Sequence, residues 1–322
     1  MSKSPMEAEV VTGVGSWMVC SMGMMIFNKQ AITVFPEECT LTILQMAFTV
    51  AAMLLFAFPS IHIGSMKDFL RWSCVAPFFT GMLLTSILAL KNAPMTLVIV
   101  FRSLSPLASL AVERLYPDPL TITPGMLGSI ALMVSGAVIY TSQLDKSSLV
   151  GIQWVILNMI FAVADRLLQR LMLSKDQNPV DISKTGCTVL NNAMGMVPLF
   201  FAAIFTGEAH KVPAAFAALD VVGMSYVGAT CIVGLGISYT GIWAQSLISA
   251  TSFLVLVNAN KFFIIFIEAY LMKTKEITKV QIAGAAISIL GGIAYGKARQ
   301  FVEASQDEKK KLLDPPEAKA TP

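Results

Sequence analysis

The chain has 322 residues, of which 55% are hydrophobic and 13% charged, with a mean hydropathy of +0.70; soluble domains carry about 25% charged residues. That composition excludes a soluble globular fold of this length, and a formal net charge of +3 gives no reason to expect a nucleic-acid partner. The first nine residues include Glu7 and Glu9, unlike a basic signal n-region or an Arg-rich transit peptide, so the first apolar run is expected to remain as a helix.

Apolar stretches long enough to cross a hydrocarbon core of about 30 Å recur from Val10 to Gly296. They predict an all-α integral membrane protein with ten transmembrane helices, near 10–28, 40–58, 73–91, 94–115, 123–142, 151–173, 184–206, 220–241, 244–271 and 277–297. The run from Val221 to Leu271 is too long for one span at about 1.5 Å per residue, and is divided near Gly241 to Ser246. Cys20, Cys74, Cys187 and Cys231 fall inside spans and Cys39 at a helix entrance, without paired spacing, as small apolar fillers. His62 and His210 stand alone in loops, so no metal site, cofactor or catalytic group is expected.

The spans read as two related halves. Ala93 to Tyr140 can be laid on Ile248 to Tyr295 with one small gap, pairing Thr96 with Thr251, Glu113 with Glu268, Gly136 with Gly291 and Tyr140 with Tyr295. Trp17 pairs with Trp154 at a separation that sets Asn28–Lys29 opposite Asp165–Arg166. The expected organisation is an N-terminal tail (1–9), a first five-helix repeat (10–142), a connection (143–150), a second five-helix repeat (151–297) and a disordered tail (298–322). Five crossings per copy force the second copy to enter from the opposite side, giving two inverted five-helix repeats, an architecture of alternating-access carriers. An even number of spans leaves both termini on one side. The basic tail marks that side as cytosolic, although Lys3, Lys67, Arg71, Arg114, Arg170, Lys175, Lys184, Lys297, Arg299 and four tail lysines are set against seven lysines outside. Gly/Ala-rich faces on the fifth and tenth spans, including Gly125, Gly128, Gly136, Gly284, Gly291 and Gly292, permit close helix approach within the monomer or, as the alternative, in a homodimer.

A charge at mid-membrane costs about 2.5–3.5 kcal/mol on insertion scales, so one that persists lines a cavity or has a partner. Lys261 sits within Asn258–Ala259–Asn260–Lys261 in the ninth span, with a phosphate-binding role or a structural pair with Glu268 open to it. Arg102 occupies an equivalent depth in the fourth span, where Pro106 frees backbone carbonyls one turn earlier. It is either a second cation of the cavity or bonded to carbonyls, Glu113 or Asp165. Asn191 and Asn192, adjacent in the seventh span, offer donors and acceptors suited to a guanine edge, or serve as interhelical glue. Asp165–Arg166 and Arg170 suit a gate latch or snorkelling, and Lys29 with Glu37 or Glu38 is a candidate latch at the opposite end.

These segments resemble the ten-span nucleotide-sugar transporters of the drug/metabolite transporter superfamily, and among them the GDP-mannose carriers. Ser249–Ala250–Thr251–Ser252–Phe253 followed by Asn260–Lys261–Phe262 is similar to their ninth-helix segment. Val100 to Leu107 resembles the fourth-helix stretch of plant-type members, and Asn28–Lys29 the Asn-Lys that closes the first helix. The two group motifs, Phe-Tyr-Asn-Asn and Gly-Ala-Leu-Asn-Lys, read here Val189–Leu190–Asn191–Asn192 and Val257–Asn258–Ala259–Asn260–Lys261, matching only at their polar ends. The resemblance implies that Asn191 and Asn192 bind the nucleobase and that Asn260 and Lys261 bind the base, sugar or phosphate side of the ligand. Ser252, Asn258 and Arg102 complete the candidate set. It further implies exchange of a GDP-sugar for luminal GMP across a Golgi or endoplasmic reticulum membrane. A UDP-sugar carrier and a triose-phosphate-type antiporter remain open, the latter disfavoured because a Lys-Arg pair is expected where Lys261–Phe262 stands. From other classes, an enzyme lacks a visible acid, base or metal cluster, and a non-transporting scaffold would tolerate loss of Lys261.

Overall fold

The computed structural model describes residues 5–113, 121–144, 150–173, 179–247, 250–267 and 277–313. A bilayer interior offers no water to backbone amides, so an apolar chain there must close its hydrogen bonds within each segment. Among the described residues the result is thirteen α-helices: α1 (Pro5–Val34), α2 (Glu38–Phe56), α3 (Met66–Ser73), α4 (Ala76–Asn92), α5 (Met95–Ser103), α6 (Ser105–Glu113), α7 (Pro124–Ser142), α8 (Ile152–Leu173), α9 (Lys184–Phe205), α10 (Glu208–Ala217), α11 (Val221–Leu247), α12 (Ala250–Ile267) and α13 (Lys279–Leu313). Strand-type pairing among the described residues is limited to one isolated bridge between Ile63 and Ile182.

Among the described residues, eight helical segments are long and apolar enough to cross a membrane: α1, α2, the α3–α4 run, α7, α8, α9, α11 and α13. The chain is an integral membrane protein. The other two expected spans coincide with the α5–α6 pair and α12. Pro106 explains the break in the former, because it cannot donate to the Arg102 carbonyl; the Ser105 hydroxyl donates to that carbonyl instead, at 2.8 Å.

Three boundaries differ from the sequence expectation. The long apolar run is continuous through Gly241 to Leu247, since Gly241 packs against the Trp17 ring and a single helical glycine costs only about 1 kcal/mol; α12 then begins at Ala250. His210 lies on a helix, α10, where a loop was expected. The tail expected to be disordered from 298 is helical to Leu313, and the rest of it lies outside the described residues: hydropathy marks the membrane exit, whereas residues 298–313 are mostly good helix formers and contain no Gly or Pro.

Helix starts follow ordinary capping chemistry. Ser65, Thr123 and Ser183 accept from the amides of Asp68, Met126 and Gly186, and the Asp220 carboxylate accepts from Gly223 N at 2.6 Å. The start of α2 is capped from a distance: Glu208 on α10 accepts from Cys39 N and Thr40 N at 3.1 and 2.6 Å.

The principal packing partners are α7 with α13, α1 with α11, α4 with α8, α2 with α9, α12 with α13, α2 with α11, and α4 with α9. The α7–α13 contact consumes the small-residue faces inside the monomer. A Cβ at Gly136 would lie 2.4 Å from Ser288 N and 2.6 Å from Gly284 O, so only glycine permits this approach. Gly128, by contrast, faces open space. α1 also lies against α4, whereas α8 makes no comparable contact with α11 among the described residues.

Candidate functional site

Arg102 ends the last regular turn before the Pro106 break, and its guanidinium is fixed by two neighbours. Nε donates to Asn158 Oδ1 and Nη2 to Ser86 Oγ, both at 2.8 Å. Asp165 is not its partner, since that carboxylate, buried, accepts from Gln169 at 2.9 Å; the Glu113 side chain lies outside the described residues.

Lys261 approaches the same region from α12. Its ammonium donates to Ser103 Oγ at 3.2 Å, while the Ser103 hydroxyl donates to the Ile99 carbonyl at 3.0 Å, leaving an oxygen lone pair for the lysine. Arg166 enters from α8, exposed between the buried Asp165 and Leu167. Arg102, Arg166 and Lys261 lie within electrostatic reach of one another. Three cations on three helices thus repel one another in a low-dielectric interior, a field that an anion relieves.

Asn260 precedes Lys261 and is 1% exposed, with no hydrogen-bond partner for its Oδ1. A buried acceptor without a partner costs about 1–3 kcal/mol, and such an atom, on the residue next to Lys261, is suited to a ligand donor. The side chains of Ser252 and Asn258, both on α12, and the residue Glu268 lie outside the described residues.

Asn191 and Asn192 sit in the fully enclosed half of α9. Trp72 on α3 donates from Nε1 to Asn191 Oδ1 at 2.9 Å, and Asn192 Nδ2 donates to its own Thr188 carbonyl at 2.8 Å. Indole is only a donor and a carbonyl only an acceptor, so both amide orientations are chemically fixed. Asn191 is left with its NH₂ and Asn192 with its carbonyl oxygen, a donor and an acceptor on adjacent residues.

The ends of the bundle carry further polar contacts. Lys29 donates to the Leu90 carbonyl and, at 3.3 Å, to that of Ala93, at the C-terminus of α4, where a cation complements the helix dipole. This corrects the expected pairing with Glu37 or Glu38, because Glu38 takes Lys91 instead. Burial, and next the neighbouring Glu208 carboxylate, push Glu37 above the usual carboxylate range. At the opposite end His62 meets Asp181 at 3.2 Å, Gly64 N donates to Asp181 O at 2.8 Å and Ser183 N to His62 O at 2.9 Å. His62 therefore has a partner that its isolation in sequence did not suggest. The Arg170 side chain lies outside the described residues.

Sequence reasoning singled out the cations and the Asn pair but missed Asn158, Ser86, Ser103 and Trp72. The available signal was Asn158 itself, an amide within a membrane span, which requires a partner. Among the described residues no His, Cys, Asp or Glu cluster could hold a metal ion.

No protein-family model matches the chain. It is 28% identical over 294 positions to GDP-fucose transporter 1 of Arabidopsis thaliana, covering 86% of this chain and 82% of that protein. It is 26% identical over 279 positions to the GDP-mannose transporter GONST3 of the same plant, covering 84% and 73%. Both relatives are nucleotide-sugar transporters. A solved crystal structure superposes with a TM-score of 0.53 at 13% identity, over 94% of this chain and all of that one, and so shares the fold.

Proposed function

We propose that this protein is a nucleotide-sugar antiporter that carries a GDP-sugar, GDP-mannose first among them, into the Golgi lumen in exchange for GMP. The observation that carries the reading is the convergence of Arg102, Arg166 and Lys261 in a chain whose relatives are named for GDP-sugar transport. The cations suit the diphosphate. Asn191 and Asn192, with one free donor and one free acceptor, suit the O6 acceptor and the N1–H and NH₂ donors of guanine. Asn260 and Lys261, with Ser252 and Asn258 on the same helix, serve the phosphate and sugar. No step in this scheme calls for a catalytic group.

Alternating access follows from two inverted five-helix halves, α1–α7 and α8–α13. Exchanging the halves maps the α1–α11 contact onto α8–α4 and α2–α11 onto α9–α4, and maps α2–α9 and α7–α13 onto themselves. This pattern supports the duplicated, inverted topology. One departure from this pattern supports a gate: Lys29 and Arg166 are equivalent positions, yet Lys29 is latched to the end of α4 while Arg166 is exposed and α8 makes no contact with α11 comparable to that of α1 with α4 among the described residues. In this reading the Lys29 end is closed, the Arg166 end is open, and the opposite state has Arg166 on the C-terminal carbonyls of α11, with Asp165 held by Gln169 setting its base. With both termini cytosolic, the open end faces the cytosol.

The test is thermal stabilisation of the purified protein by a ligand panel. GMP and GDP-mannose are expected to raise the unfolding temperature at concentrations where UMP, AMP and triose phosphate do not. Preferential stabilisation by UMP would transfer the reading to a UDP-sugar, and by triose phosphate alone to a phosphate-ester carrier.

A further inference from the structure

Asn158 is fully buried in α8, facing α4 and α5, and every hydrogen-bonding group on its amide has an assigned task. Nδ2 donates to the Met82 carbonyl at 2.7 Å and to Thr85 Oγ1 at 3.2 Å, and Thr85 can accept because its own hydroxyl proton goes to the Gly81 carbonyl at 2.5 Å. The amide nitrogen cannot exchange places with the oxygen, since two nitrogens' worth of donors would then face Arg102 and an acceptor would face Met82 O. Oδ1 is thereby presented to Arg102 Nε. On the same side of the guanidinium, Ser86 Oγ takes one Nη2 hydrogen.

A guanidinium has five donors on a planar fork. Nε and Nη2 form one edge, and that edge is occupied by Asn158 and Ser86; Nη1 and Nη2 form the other, which keeps its two parallel hydrogens. The like charges of Arg166 and Lys261 act on this group, so the partner that suits the open edge is an anion whose paired oxygens match the fork. We infer that Asn158, seconded by Ser86, is a positioning residue that holds the side edge of Arg102 so that its end edge is presented to the phosphates of the transported nucleotide. The inference rests on the antiporter reading for the identity of that anion. Because Asn158 comes from the second half and Arg102 from the first, the α4–α8 contact and the anion site are tied together at one amide.

Uptake of GDP-mannose into proteoliposomes holding GMP is measured for Asn158→Leu, Ser86→Ala, Arg102→Ala and the two double variants with Arg102→Ala. Stabilisation by inorganic pyrophosphate, a diphosphate without base or sugar, is followed in parallel. Asn158→Leu is expected to raise the half-saturating concentration for both probes about tenfold with a nearly unchanged maximal rate. Ser86→Ala, a small change that leaves the fold intact, shifts it in the same direction by less. In the Arg102→Ala background neither adds a further shift, which a merely structural role would not produce.

Unchanged half-saturation in Asn158→Leu and Ser86→Ala, or shifts that persist in full without Arg102, would overturn the inference; should Asn158→Leu fail to fold, Ser86→Ala decides alone. Arg102→Ala without effect on pyrophosphate would remove Arg102 from the anion site and the inference with it. Loss of GDP-mannose uptake in the unaltered protein, with the pyrophosphate pattern intact, would discard the GDP-sugar reading and uphold the role of Asn158.

Discussion

Lys261 is held beside two like charges, and its removal separates function from folding. Lys261→Ala deletes a buried cation repelled by Arg102 and Arg166, so the variant is expected to keep the unfolding temperature of the parent or exceed it. Exchange should fall by about a hundredfold, the order lost when a fixed electrostatic contact is removed. Retained uptake would contradict a phosphate role, and collapse of the fold would make Lys261 a structural group. Trp72→Phe tests the other side of the site. It leaves Asn191 Oδ1 without its buried donor, at a cost of about 1–3 kcal/mol, and frees the amide to turn. The expected outcome is a lower unfolding temperature together with a weaker preference for GMP over UMP. The cations and the Asn pair were legible in the sequence because a polar group in an apolar span is conspicuous. Their partners were not, since Trp72 lies 119 positions from Asn191, and Asn158 lies 56 from Arg102, and one sequence carries no measure of such proximity.

The elements divide in the same way. The eight segments long and apolar enough to cross a membrane were legible from hydropathy, and the disturbance one turn before Pro106 from that proline, because both follow from local chemistry. The α10 helix was not, since its polar and apolar residues make no membrane-length run, and the continuation of α13 was hidden because hydropathy reports solvent and not backbone conformation. Glu208 ties α10 to α2 by accepting from two otherwise open amides. Glu208→Ala is expected to cost about 0.5–2 kcal/mol, read as a lowered unfolding temperature, with exchange preserved at moderate temperature. Gly136→Val is expected to do more damage. Its side chain would meet backbone atoms of α13 closer than 3 Å, and no rotamer relieves a clash at Cβ, so the folded yield should fall sharply in size-exclusion analysis.

For the whole molecule, the sequence repeat predicts which helices are equivalent; the α1–α11 and α4–α8 contacts, and the α2–α11 and α4–α9 contacts, follow that equivalence, whereas α1–α4 and α5–α13 have no mates of similar extent in α8–α11 and α7–α12 among the described residues. Contacts between connections distinguish static from moving parts. The Ile63–Ile182 junction at one end and the Glu208–α2 junction at the other occupy equivalent places, and both are formed in one structure. On the alternating-access reading, neither is therefore expected to alternate. With the native cysteines replaced, a disulfide between Ile63→Cys and Ile182→Cys is expected to leave exchange intact. A short bis-maleimide linker joining Lys29→Cys to Ala93→Cys should arrest exchange by holding the Lys29 end closed. Arrest by the first or indifference to the second, in the same uptake assay, would contradict the gate assignment.

The central claim is exchange of a GDP-sugar for GMP, and it is tested most directly by uptake of labelled GDP-mannose into liposomes that contain the purified protein and are preloaded with GMP, UMP or AMP. The account predicts uptake driven by internal GMP and negligible uptake with UMP, AMP or empty vesicles. Uptake driven by UMP, or equal uptake into vesicles holding no nucleotide, would contradict it.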